Sequence, residues 1–554
     1  MKKSLFIAAL MLSAVCCFAA PAPIYKSGDE GAFPSGLTEF TVVCKINAKS
    51  KADFPILSKT DGKGGFDLRN CGYVYSPVVE VTDGGGKTRI ARFDFFRATD
   101  TRRLAFSVGG GKLTTYSDGV FTQSVDCPGY TEGGEFSAGP DTESFAVYDG
   151  VLSEKDIRLL WDNSFRTYDF NGSVSEDVLN SYLSRAVTAE NILSPAVSEA
   201  EFNDHAALIA NIGAMFIGRA SLIWDMPAGD IDEFFRVAAA RAKRIHTGDK
   251  NVIFQAAILE CVSDKANTIK ISPRTLSAFG QEVKDRNFDY KAMIFENGKY
   301  VNQWGENCSV PDMTRIETRM WFYEMATRYI DAGFEAFHMG QIWLMGDGDK
   351  NYAAWNGLLG MIRDYAKLKA RRHYVLFDAH NHGTLVGGVS IFDFNSFPVR
   401  HAPVDYSSID MKLEKGWGSA IFGKSAGCKT PSGWSTKSLP YLVELDNGDG
   451  LTDEITWFAA MPQKYRGEWI GYATEWLYRN DPMGHFQPVI RRVSGNVGDD
   501  CYYYSACEKL SVPGGVKAMN DVEALKSVFT AGFVGPLEPP VSGVDGYWDI
   551  LKKK

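Results

Sequence analysis

The sequence predicts two folded parts: an all-β sandwich in front, and behind it an alternating β/α segment that closes as an eight-stranded (β/α)8 barrel. Three observations predict this. Residues 24–166 lack long helical periodicity and show short β-type runs between glycine-rich turns. From about residue 208, apolar strand-like runs alternate with amphipathic helical stretches, the pattern of a parallel sheet. The chain has 554 residues, too many for one core.

In the front part the β-type runs are Phe40–Ile46, Val78–Val81, Arg89–Phe96 and Leu104–Val108. Gly84-Gly85-Gly86 and Gly109-Gly110-Gly111 separate such runs and predict turns. The segment closes on Phe145-Ala146-Val147-Tyr148-Asp149-Gly150, a strand and a turn, followed by Ser153-Glu154, the start of a serine-capped helical turn. This closing pattern, together with the opening strand Glu39-Phe40-Thr41-Val42, resembles the laminin-G-like jelly rolls of the concanavalin A-like lectin/glucanase group. The resemblance covers about a quarter of the chain. It implies a jelly-roll fold that binds sugar or calcium, or that only packs beside a catalytic neighbour.

Behind it, eight strands are read: Ala214–Gly218, Val252–Glu260, Tyr290–Phe295, Ala336–Gln341, Tyr374–His380, Ile391–Phe397, Tyr441–Asp446 and Gly484–Val489. Helical stretches lie between them at Ile231–Ile245, Arg315–Ala332, Trp355–Ala370 and Glu454–Tyr478. Eight such units match a TIM barrel. An open Rossmann-type sheet is the alternative, but no GxGxxG follows the first strand, which argues against a dinucleotide. The expected organisation is a signal peptide at 1–19, the sandwich at 24–166, a linker with a short helix at 167–195, the barrel at 196–536 and a tail at 537–554.

The signal is read from Lys2 and Lys3, the apolar run Leu5–Val15, and Cys17-Phe18-Ala19 at the cleavage positions. Export to the periplasm or the exterior is therefore expected. A lipid anchor on Cys16 or Cys17 is disfavoured, because Ser13-Ala14-Val15 lacks the usual leucine and the small residue just before the cysteine. No later run is long and apolar enough to enter a bilayer. The formal charge is −9 with no basic cluster, which argues against nucleic acid and anionic lipid as partners. Nothing in the sequence sets an oligomeric state. Eight cysteines lie beyond the signal, with irregular spacing and no CxxC, so a metal knuckle is not expected. Cys501 and Cys507 form the nearest local pair, Cys44, Cys71 and Cys127 sit together in the front part, and free buried thiols are an equal reading.

In a TIM barrel the chemistry sits at the C-terminal ends of the strands. Strand side chains alternate, so Leu376, Asp378 and His380 share one face, as do Leu442, Glu444 and Asp446, and Ala256, Ile258 and Glu260. Carboxylates at the ends of apolar strands are costly unless paired or used. Paired carboxylates are what glycosidic cleavage needs: one protonates the leaving oxygen while the other attacks or activates water. Glu444 is the first candidate for nucleophile or base, because strand seven carries the nucleophile in the retaining barrel glycosidases this segment resembles in architecture. Asp378 is preferred to Glu260 as proton donor because His380 stands beside it. Ion pairing or helix capping is the structural alternative for each acid, and Glu335, at the start of its strand, reads as structural.

Those glycosidases place a glutamate at the end of strand four, where this chain has Gln341, a departure from their pattern. His338, Gln341, His380 and Asp446 are read as contacts to sugar hydroxyls, and Trp304, Trp343, Trp434 and Trp457 as stacking platforms or ordinary packing. Aromatic content of 13%, with 12 Trp, suits sugar stacking. The expectation is thus a glycoside hydrolase acting on oligo- or polysaccharide, with no cofactor and no metal in the barrel; calcium belongs only to the jelly-roll resemblance. Two rivals stay open. The His380-Asn381-His382 motif resembles the metal pair of amidohydrolases, although only His401 and His485 lie downstream. A non-catalytic glycan-binding surface protein is the second. Asp446–Gly450 does not fit an EF-hand, since Leu445 would fill its first ligand position.

Overall fold

A computed structural model describes residues 21–47, 54–71, 77–94, 101–162, 168–224, 230–381, 383–399, 412–413, 427–445, 458, 463–492, 496–497, 500–501, 504–507, 516–517, 521–530 and 532–540. The segment expected to be a signal, residues 1–19 with Cys16 and Cys17, lies outside them. The chain divides into two compact units, Met1–Asn163 and Ser164–Lys554.

The first unit is an antiparallel β-sandwich of a six-stranded and a five-stranded sheet. Phe40–Asn47 lies inside the larger sheet, between Thr142–Asp149 and Thr101–Gly109. Alternation along it sends Phe40, Val42, Cys44 and Ile46 into the core. There they meet Phe66, Leu68, Val79 and Val81 from the second sheet. The glycine run at 109–111 turns the hairpin between Thr101–Gly109 and Lys112–Ser117: Gly110 and Gly111 both have positive φ, 58° and 74°, as a two-residue hairpin turn requires. After the closing strand, Ser153 starts the helix Glu154–Asp162. Its hydroxyl accepts from the Asp156 amide at 3.1 Å, and Asp156 Oδ2 accepts from the Ser153 hydroxyl at 2.7 Å, a reciprocal capping box.

The second unit is built on parallel strands with helices between them. The strands are β1 Ala186–Ala189, β2 Phe216–Ile223, β3 Ile253–Ile258, β4 Ala336–His338, β5 Leu376–Asp378, β6 Asn395–Pro398, β7 Tyr441–Glu444, β8 Gly484–Gln487 and β9 Val489–Arg492. β1 to β5 pair in sequence order, all parallel, and β9 pairs parallel with β1. β6, β7 and β8 form a second parallel group. A lone parallel bridge joins His380 to Ser396, and only Pro488 separates β8 from β9. The longer helices among the described residues of this unit include α1 Glu176–Leu183, α2 Glu199–Ile212, α3 Ile231–Gly248, α4 Ile316–Asp331, α5 Ala353–Lys369 and α6 Gln463–Asn480. No helix among the described residues is long and apolar enough to cross a membrane.

Two expectations need correction. Tyr290–Phe295 is not a strand. Asp289 caps a single 3-10 turn at Tyr290–Ala292 by accepting from the Lys291 amide, so the apolar run there begins in a turn. The segment 167–195 is not a linker, since it contributes α1 and β1. All four residues of β1 are buried, and it is hydrogen-bonded on both edges. The unit boundary accordingly falls at 163/164.

The N-terminal ends of the strands rest on one apolar cluster, with Leu179 and Leu183 of α1, Phe216, Ile253, Ala336 and Leu376 among its members. Buried Glu335, just before β4, accepts from Arg371 at 2.6 Å and from Arg372 at 2.8 and 2.9 Å. Arg372 also donates to the Tyr182 hydroxyl on α1 at 2.6 Å. Three histidines of this unit, His205, His246 and His485, have depressed basicity because burial disfavours the charged ring; His246 and His485 fall to about 4. On unfolding each ring returns towards a pKa of about 6.5. Unfolded chains therefore bind more protons between those limits. The contribution of these rings to stability is complete above pH 6.5 and declines as pH falls towards 4, by on the order of 1 kcal/mol per pH unit for each of His246 and His485. Calorimetry of the full chain between pH 7.5 and 4.5 should show this decline, and a flat melting profile would contradict it.

Candidate functional site

The C-terminal ends of β2, β3, β4, β5 and β7 bring most of the expected residues together. Buried Glu444 ends β7. Its Oε1 accepts from Arg219 Nη2 at 2.6 Å and lies 2.9 Å from His380 Nε2. Arg219 reaches it because β2 is irregular there. The register with β3 shifts between Ile217 and Ser221, and Arg219 has φ 51°, a left-handed backbone that is costly for a non-glycine residue.

Asp378 ends β5 and is fully buried. Oδ2 lies 2.7 Å from His338 Nδ1 and accepts from Ser396 Oγ at 2.5 Å, while Oδ1 accepts from Gln255 Nε2 at 2.7 Å. Fully buried and held by the side chains of His338, Ser396 and Gln255, Asp378 is not placed to protonate a substrate, which corrects its expected role. It positions His338 instead. In the tautomer that donates from Nδ1 to this carboxyl group, Nε2 is left as an acceptor. That Nε2 is buried and has no hydrogen-bond partner among the described residues. The two imidazoles meet edge to face, 4.8 Å between centroids.

Glu260 follows β3. Gln341 binds it twice, with its amide N to Oε2 at 3.0 Å and its side-chain Nε2 to Oε1 at 2.8 Å. Gln341 thus holds an acid rather than a sugar hydroxyl. The turn between them requires glycine: Gly340 has φ 60°, and a β-carbon there would stand 1.9 Å from Glu260 Oε2. Trp304 donates from Nε1 to the Glu260 carbonyl at 2.8 Å and packs edge to face on Trp224, 4.9 Å between centroids.

The other tryptophans divide. Trp343 is largely exposed on the short helix Ile342–Met345 after β4. Trp434 packs on the cluster at the N-terminal ends of the strands and donates to the Val174 carbonyl at 3.0 Å, so it lies at the opposite end from the acids. Asp446, Trp457, His382 and His401 lie outside the described residues. His485 sits near the start of β8, bonded to Asn180 of α1 at 2.8 Å, and does not join the histidines above. The sequence reading missed Arg219, Gln255, Ser396 and Trp224. Arg219 and Gln255 did carry a signal, as polar residues inside otherwise apolar strand runs.

Among the described residues, His338, His380 and Glu444 offer ligand atoms within 4.8 Å of one another, a set able to hold a metal ion. Asp378 behind His338 is the kind of outer partner such ligands have. Against a cation stands Arg219, whose guanidinium already occupies Glu444 Oε1.

No family model matches the chain, and no curated protein does. Solved structures similar to it include the binding domain of botulinum neurotoxin serotype G, at 10% identity over 25% of this chain, TM-score 0.21. The receptor binding domain of botulinum neurotoxin D is similar at 13% identity over 28% of this chain, TM-score 0.22. The chain spans 39% and 45% of their lengths. At these scores the likeness carries no argument about site or ligand.

Proposed function

We propose that the chain is an exported glycoside hydrolase acting on oligo- or polysaccharide, with a (β/α)8 barrel as its catalytic part and the lectin-like sandwich as a glycan-binding companion. The ordered parallel pairing, the His380–Ser396 bridge and the passage of β8 into β9 beside β1 support closure of the two parallel groups into one barrel. Export rests on the N-terminal sequence.

One observation carries the enzymatic reading. Two buried glutamates from different strands, Glu444 held by a guanidinium and Glu260 by the amides of Gln341, stand at the C-terminal ends of the strands. Glycosidic cleavage needs such a pair of carboxyl groups. Glu444 is the charged group that attacks the anomeric carbon or activates water. Glu260, rather than Asp378, is assigned to the leaving oxygen, and must exchange one of its bonds from Gln341 to reach it. His338 Nε2 accepts from a sugar hydroxyl, with Asp378 fixing its tautomer, and Trp304 with Trp224 forms an apolar wall for a pyranose face.

Metal-dependent hydrolysis is the second reading, favoured by the His338–His380–Glu444 set. One assay separates them. The purified chain is screened on a panel of oligosaccharides before and after exhaustive chelation. Paired-acid chemistry predicts release of reducing ends unchanged by chelation. Activity lost on chelation and restored by zinc transfers the function to the second reading, and an inactive chain with intact glycan binding removes both.

A further inference from the structure

Cys261 directly follows Glu260, and Cys308 begins the two-residue strand Cys308–Ser309. That strand pairs antiparallel with Val262–Ser263, setting Ser263 opposite Cys308. The Asp264 amide donates to the Asn307 carbonyl at 3.2 Å, so the two backbones are held side by side. Between them the Cys261 and Cys308 sulfurs lie 2.8 Å apart, closer than two unbonded thiols rest comfortably. A small side-chain movement reaches the roughly 2.05 Å of a disulfide.

We propose that Cys261 and Cys308 form a disulfide in an oxidising compartment, closing the segment between them beside Glu260. Cys308 is partly exposed and Cys261 is buried, which orders the exchange. The Cys308 thiolate attacks an oxidant disulfide, either a small molecule or a dithiol oxidase, and releases one thiol. Cys261 then attacks the mixed disulfide and releases the second. Two electrons pass to the oxidant, and the two cysteine protons leave with its thiols.

The closed segment contains Trp304, whose indole is bonded to the Glu260 carbonyl and packed on Trp224. The bond therefore anchors the aromatic wall to the chain at Glu260. The proposal is independent of the chemistry assigned to the glutamates.

The test uses the purified full-length chain, equilibrated with excess oxidised glutathione or with a reductant. Each sample is then denatured, its free thiols are alkylated and its peptides are mapped. The oxidised sample should contain one cross-linked species joining the Cys261 and Cys308 peptides. It should also melt on the order of 5 °C above the reduced sample, as expected for closing a loop of this length in a unit of this size. Cys308→Ser should lose most of that difference. Alkylation of both cysteines in the oxidised sample, or Cys308 linked to another cysteine, overturns the proposal. The mapping is done on the unsubstituted chain, so it decides the matter even where Cys308→Ser fails to fold.

Discussion

Glu444→Gln should lower turnover on any glycan the chain cleaves by at least ~10³-fold, the scale for removing a group that acts only in the transition state. Glutamine keeps the size of the side chain and still offers an oxygen to Arg219 Nη2, now 2.6 Å from Glu444 Oε1, so oligosaccharide binding should largely survive. The fold keeps the hydrogen bond but leaves the buried Arg219 charge uncompensated, and the stability loss should be about 3 kcal/mol. Arg219→Ala is the harsher change, because it leaves the Glu444 charge buried with His380 as its remaining partner named here. Near-normal turnover in Glu444→Gln would remove Glu444 from the chemistry. A chain that no longer folds would show the Glu444–Arg219 pair to be structural glue between β2 and β7.

At the other end of the same strands the opposite pattern is expected. Glu335→Gln should cost about 3 kcal/mol, a fall of roughly 4 °C in the melting temperature of a unit this size, while turnover below the transition stays unchanged. The buried carboxylate is held by both Arg371 and Arg372, and Arg372 ties it to Tyr182 of α1. An amide there cannot balance two guanidiniums, and breaking a buried pair leaves charge uncompensated. Unchanged melting would show that solvent reaching the arginines already screens the cluster. Lost turnover with unchanged melting would contradict the structural role read for this glutamate.

Most of the second unit was legible because its strands are apolar runs bounded by helices with their own period. β1 was missed because Ala186-Val187-Thr188-Ala189 is four residues long and carries too little pattern; it is a strand because β2 and β9 flank it. Tyr290–Phe295 was mistaken for a strand because Tyr-Lys-Ala-Met-Ile-Phe is a mostly apolar run of strand length, and Asp289 capping a 3-10 turn outweighs that. The two errors offset each other, so the strand numbering from β4 onward was correct. The acids were legible too, since a carboxylate ending an apolar strand is unusual wherever it occurs. Their roles were not. Whether an acid faces a substrate depends on partners such as Ser396 for Asp378 or Arg219 for Glu444, which meet it only through the folded strand order. His380, adjacent on the same face, looked like the partner of Asp378 and instead serves Glu444.

The contact between position 340 and Glu260 sets an order on how this site can drift over generations. While glutamate stands at 260, a side chain at 340 meets its carboxylate and pushes it off its Gln341 bonds, so lineages that keep this acid in place favour Gly340. A lineage that first shortens residue 260 opens the space, and asparagine, which tolerates a left-handed backbone, becomes admissible at 340. The return path is then shut, because restoring glutamate at 260 would clash until glycine is restored as well. Among descendants of this chain, substitutions at 340 should appear only on branches that have already lost Glu260. The reaction assigned here to that glutamate would be gone before the turn records the change.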